Sequence, residues 1–227
     1  MYPDDSIQSM VAPWWVAERG DLLARGRLVY TYAQHAEPHP FLLTAEAKKE
    51  PSDPSRVRMR LEPFQTDDAP RAPSPPTPAL PFEAGEAWSV RRVRRRPCLV
   101  LGTTGPAVHR PARTAARGAH GSPALLVAPY YDAAGLDAGF VARVRRAEYP
   151  HCVWDRLPME GEREVILRLD LTQPMGRDPL GFDWTEHALS PAALAVLDAW
   201  AGWNLTGTLG AGDLADFREL VRGGTHP

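Results

Sequence analysis

Short apolar runs bounded by turn residues dominate the chain, and helical spacing enters only near its C-terminus. Residues 27–32, rich in β-branched and aromatic side chains, follow Gly26 and predict a strand that opens after a turn. A second short strand is expected at 57–61, where apolar residues alternate with Arg. Further strands are expected at 88–93, at 97–101 closed by Gly102, and at 124–128 closed by Pro129. Two more are expected at 151–155 and 164–171, the latter from the alternation of Val165, Leu167, Leu169 and Leu171. The period then changes. Ser190 before Pro191 is the signature of an N-cap with proline in the first turn, and Leu194, Leu197 and Trp200 recur every third residue, so a helix is expected over 191–203. Asp213 is placed to cap a second helix whose Leu214, Phe217, Leu220 and Val221 share a face. Many short strands followed by two helices predict a mainly β (α+β) fold of closed or sandwich-like type.

The 227 residues suffice for one core with an appendage, since domains commonly hold about 100–200 residues. Six prolines between Ala69 and Pro81, spaced by Ser, Thr and Ala, make that stretch extended and unfit for a packed sheet. It divides an N-terminal extension, 1–68, which contains the candidate first strand within 20–35, from a β region with C-terminal helices at 82–227. No apolar run approaches the roughly 18 residues of a spanning helix. The acidic start lacks the basic-then-apolar order of a secretory signal, so a cytoplasmic protein without a membrane partner is expected. Cys98 and Cys152 each lie in an apolar stretch and read as buried thiols.

Charge is uneven. Residues 1–87 carry 9 basic and 13 acidic side chains, 88–146 carry 11 and 2, and 151–227 carry 6 and 12, so a net charge of −2 conceals a basic centre. Such a centre attracts polyanions, although the 24 Arg against 2 Lys also fit a GC-rich coding bias.

Three segments in order resemble the PemK/MazF/Kid toxin family. Arg95-Arg96-Pro97-Cys98-Leu99-Val100-Leu101 is similar to its Arg-Pro entry into the second strand. Leu125-Leu126-Val127-Ala128-Pro129-Tyr130-Tyr131 is similar to its Val-x-Pro-x-Thr strand end, except at the last residue. Val165-Ile166-Leu167-Arg168-Leu169-Asp170 is similar to the Arg-x-Asp strand of the Kid branch. The resemblance covers 88–205 and, more loosely, 20–35, with the intervening residues inserted after the first strand. It implies an SH3-like β-barrel with closing C-terminal helices and a metal-independent endoribonuclease acting on single-stranded RNA without a cofactor. It also implies a homodimer and an antitoxin-like or regulatory protein partner.

Cleaving RNA without a metal requires a base for the 2′-hydroxyl, a fixed cation for the phosphate oxygens and an acid for the departing 5′-oxygen. Arg168 and Asp170, two apart in the expected strand, lie on one face; the guanidinium keeps the carboxylate ionised and its fork suits phosphate. An exposed ion pair is the alternative reading. By the resemblance, Arg96 holds the scissile phosphate, with Arg94 and Arg95 beside it. His35 then supplies the acid, with His39 near the substrate. A solvated Arg-rich face is the bland alternative. Tyr131 stands where the family has a phosphate-binding threonine; it could donate a hydrogen bond, stack on a base or block the site. Asp132 adds negative charge beside it. No nucleotide-binding glycine motif or zinc spacing occurs. The Tyr131 departure and the insertion leave a second reading, an inactive PemK-like barrel serving as a protein-binding module. A CcdB-like topoisomerase poison is a third.

Overall fold

The computed structural model describes residues 2–20, 23–35, 40–46, 58–64, 88–103, 124–161 and 163–223. The proline-rich stretch 69–81 and His39 lie outside them. The chain divides into two compact units, one formed by 1–33 with 95–227 and the other by 34–94. In order, the described elements are α1 (Ile7–Met10), β1 (Trp15–Ala17), β2 (Arg27–Gln34), β3 (Phe41–Glu46), β4 (Arg58–Pro63), β5 (Ser89–Val90), β6 (Val93–Thr103) and β7 (Leu125–Asp132). They continue with α2 (Ala138–Arg145), β8 (Cys152–Arg156), β9 (Glu164–Arg168), β10 (Gln173–Met175), β11 (Asp183–Leu189), α3 (Pro191–Thr206) and α4 (Asp213–Gly223). The fold is mainly β with a few helices.

The larger sheet runs in the order β1-β11-β2-β6-β7-β9-β8, with β10 also paired to β7. β1 and β8 end that order, yet the sheet curls until they meet. The Trp15 indole N–H on β1 donates to Asp155 Oδ1 on β8 at 3.3 Å, and Trp14 donates to Oδ2 at 3.2 Å. Inside the curl, Leu28, Leu99, Ala128, Val153, Val165 and Leu167 form the main core with Val196, Leu197 and Trp200 of α3 and with Leu214 and Phe217 of α4. Burial of this apolar surface on both helices is what holds them, because helices of their length gain little from propensity alone.

The opposite face of the sheet carries two smaller clusters. Val29, Cys98, Val100, Leu125 and Val127 pack with Phe182 at one end, and Cys152, Trp154 and Ile166 pack under Val141 and Val144 of α2 at the other. Along β7, Tyr131 falls between these clusters, after Val127 and before Ala133.

Several expectations change. β7 does not close at Pro129 but continues to Asp132. Pro129 sits where β7 changes neighbour, since β10 pairs as far as Val127 and β9 begins at Tyr130, a position where a missing N–H costs no ladder bond on that side. β9 stops at Arg168, and Leu169–Leu171 form a 3₁₀ turn instead of more strand. α2 was not expected; Asp137 caps it, accepting from the Phe140 N–H at 2.8 Å.

The second unit is a three-stranded sheet, β4-β3-β5. Its register sets Phe41 opposite both Pro63 and Val90, and Leu43 opposite Leu61, so apolar residues gather on one face. Among the described residues no helix is long and apolar enough to cross a membrane.

Candidate functional site

β6, β7 and β9 are neighbours, and each presents one polar residue between the two smaller clusters. Cys98 pairs with Pro129; two residues further along each strand, the Arg96 guanidinium lies over the Tyr131 ring, 4.0 Å from its centroid. Tyr131 in turn pairs with Ile166, and Arg168 is two residues beyond on that face. Arg96, Tyr131 and Arg168 are all half-buried.

Arg168 and Asp170 meet, though not as strand neighbours. Thr172 draws the backbone into the 3₁₀ turn, its N–H and hydroxyl both donating to Leu169 O at 3.2 and 2.7 Å. The turn brings the Asp170 carboxylate in front of the guanidinium, where Nε donates to Oδ1 at 2.7 Å and Nη2 to Oδ2 at 2.5 Å. Partial burial pushes the Asp170 carboxyl up, but the hydrogen bonds and charge of Arg168, together with His151, outweigh it and hold it below its ordinary value. Hydrogen bonding to Asp170 holds Arg168 above its own, against desolvation. Behind Arg168, burial pushes the Cys152 thiol up to about 11, with the guanidinium opposing.

The remaining expected residues are placed elsewhere. Arg95 points away from Arg96, as strand alternation requires: both Nε and Nη2 donate to Asp183 Oδ2, at 2.9 and 2.7 Å, and its guanidinium lies over the Tyr30 ring. Arg94 is exposed and belongs to the second unit, as does His35, whose N–H donates to Arg92 O at 3.0 Å. Asp132 is exposed, and its carboxylate accepts from Arg163 Nη2 at 2.5 Å. That hydrogen bond holds its carboxyl below the ordinary value and offsets its charge.

Two residues escaped sequence reasoning. His151, just before β8, accepts on its carbonyl from the Leu169 N–H at 2.9 Å, and its ring lies 5.9 Å from that of Tyr149. Arg143 and Phe140 of α2 in turn flank Tyr149. Asp155 is the other. It is buried on the core face, where its carboxylate accepts from Trp14, Trp15, Tyr2, Tyr130 and the Arg156 N–H. Burial pushes its carboxyl up to about 7, against the hydrogen bonds from the Arg156 N–H, Trp14, Tyr130 and Trp15. A lone Asp within the apolar Cys152-Val153-Trp154 run was the available signal, since a buried carboxylate needs partners. Among the described residues no group of three or more His, Cys, Asp or Glu is placed to hold a metal ion.

In comparisons with known proteins, no family model, no curated protein and no solved structure matches the chain.

Proposed function

We propose that the first unit is an SH3-like barrel related to the PemK/MazF/Kid toxins, and that it cleaves single-stranded RNA without a metal. The observation that carries this reading is the gathering of Arg96, Tyr131 and Arg168, half-buried residues of three neighbouring strands, on one sheet face, with the exposed Asp170 of the following turn held against Arg168. The curl that joins β1 to β8 at Asp155, with α3 packed inside it, supports the barrel.

In this reading a phosphodiester lies across the patch. Arg96, its guanidinium over the Tyr131 ring, offers a charged donor to one phosphate oxygen. Arg168 uses Nε and Nη2 on Asp170, leaving Nη1 for a second oxygen. Asp170, ionised at neutral pH, accepts the 2′-hydroxyl proton, and the product ends in a 2′,3′-cyclic phosphate. Tyr131, its face covered by Arg96, contributes its hydroxyl and ring edge.

A cytoplasmic homodimer restrained by an antitoxin-like partner accompanies this reading. The binding-module reading keeps one observation in its favour: both Asp170 oxygens are taken up by Arg168, as in a structural ion pair. Incubation with mixed-sequence single-stranded RNA in EDTA separates the two, because only the enzyme produces cyclic-phosphate ends.

A further inference from the structure

The expected proton donor, His35, lies in the second unit, and His39 lies outside the described residues. Protonating a departing alkoxide is nevertheless the step in metal-free RNA cleavage that most needs a group titrating near neutrality, which is the ordinary property of imidazole. The first unit carries an imidazole, that of His151, just before β8, in the segment whose carbonyl accepts the N–H of Leu169 in the turn that carries Asp170.

The geometry points to His151 as the acid of the proposed cleavage: its backbone is bonded to the turn that carries Asp170, and from that segment its imidazole protonates the leaving 5′-oxygen. This rests on the RNA-cleavage reading given above. Three observations carry it. His151 O accepts the N–H of Leu169, the residue between Arg168 and Asp170, so one hydrogen bond of 2.9 Å ties the two segments together. Cys152, the next residue, pairs with Arg168 across β8 and β9, which sets the start of β8 against the end of β9. The imidazole is half-buried and packs edge-on against Tyr149, itself fixed by Phe140 and Arg143. His151 is also close enough for its charge to act on the Asp170 carboxyl. Among the described residues, Tyr149 touches the imidazole and Asp170 lies within range of it; Arg143 lies over Tyr149, Cys152 follows in sequence, and Arg168 pairs with Cys152.

The 2′-oxygen bonds to phosphorus while the P–O5′ bond breaks. Asp170 takes the 2′-hydroxyl proton, and His151, entering as imidazolium, gives a proton to O5′. The products are a 2′,3′-cyclic phosphate and a 5′-hydroxyl, and solvent returns the proton from Asp170 to His151.

The test compares the wild-type protein with His151→Gln, which keeps a polar planar group but carries no transferable proton. Two RNAs are used, one ordinary and one with a 5′-bridging sulfur at the scissile position, whose thiolate leaves without protonation. His151→Gln is expected to cleave ordinary RNA roughly 10²–10⁴-fold more slowly and the sulfur-bridged RNA within a few-fold of wild type. Thermal unfolding and binding of an uncleavable 2′-deoxy strand check that the variant folds and binds; His151→Asn serves in its place if it does not. Undiminished cleavage of ordinary RNA by the variant overturns the role, as does an equal loss on both substrates. If the wild-type protein cleaves neither RNA, the RNA-cleavage reading fails and takes this inference with it, whereas the other failures leave that reading standing.

Discussion

Arg168 and Asp170 form a bidentate fork, with two short parallel hydrogen bonds between exposed or half-buried partners. A pair at that level of exposure contributes only about 0–1 kcal/mol to folding, so its variants stay folded and report on chemistry. Asp170→Asn is expected to retain RNA binding and lose cleavage by roughly 10²–10⁴-fold; single-turnover rates beside equilibrium binding check this. Arg168→Lys keeps the charge but loses the fork, and is expected to impair cleavage while leaving the salt dependence of binding nearly unchanged. At this scale the sequence anticipated that the two side chains meet, for an incomplete reason. Two-residue spacing brings side chains together in a strand, but here a 3₁₀ turn, held by Thr172, does so. Arg95 shows the limit of reading an Arg run, because neighbours in a strand face opposite ways and Asp183 claims that guanidinium. His151 was illegible because its connection to Asp170 runs through a backbone hydrogen bond to a segment distant in sequence.

Elements announced by local chemistry were the legible ones. α3 begins where Ser190 and Pro191 predict, with Ser190 Oγ accepting from the Ala193 N–H at 3.1 Å, and it ends at Gly207, whose φ of 72° suits glycine. Ser190→Ala is expected to cost about 1 kcal/mol in urea unfolding. In α4, Phe217 is fully buried in the main core, and Phe217→Ala is expected to cost about 3–5 kcal/mol. An unchanged unfolding midpoint in that variant would show that α4 does not pack there. Elements set by tertiary context were missed. β1 is a three-residue strand paired to β11, β11 is a bulged strand between β1 and β2, and α2 has glycine in its first turn. β7 was cut short at Pro129 because only the strand order reveals that this proline faces a gap between neighbours.

For the molecule as a whole, Asp155 on β8 fastens the curled sheet, through buried hydrogen bonds to Tyr130 of β7 and to Trp14 and a half-buried one to Trp15 of β1. Its carboxyl, ordinarily near 3.8, is pushed up to about 7 in the folded protein. Between those values the folded state binds the proton more tightly than the unfolded chain, so this group's contribution to stability is greatest below about pH 4. It declines as pH rises to about 7 and is level beyond, a change on the order of 4 kcal/mol. The stability difference between wild type and Asp155→Asn isolates this term from the other carboxylates. In urea unfolding from pH 4 to 8, the variant is expected to gain on wild type as pH rises; a constant difference would contradict the buried-acid account. The mainly β class was legible in the alternation of short apolar runs, but the meeting of the sheet's ends was not, because it depends on one buried carboxylate and two N-terminal tryptophans.

Whether the patch formed by Arg96, Tyr131, Arg168 and Asp170 cuts RNA is decided with the purified wild-type protein. It is incubated with mixed-sequence single-stranded RNA in EDTA, and the fragment ends are then analysed. Discrete fragments ending in 2′,3′-cyclic phosphate and 5′-hydroxyl groups are expected, produced equally with and without the chelator. Intact RNA after incubation with protein shown to be folded would contradict the RNA-cleavage reading.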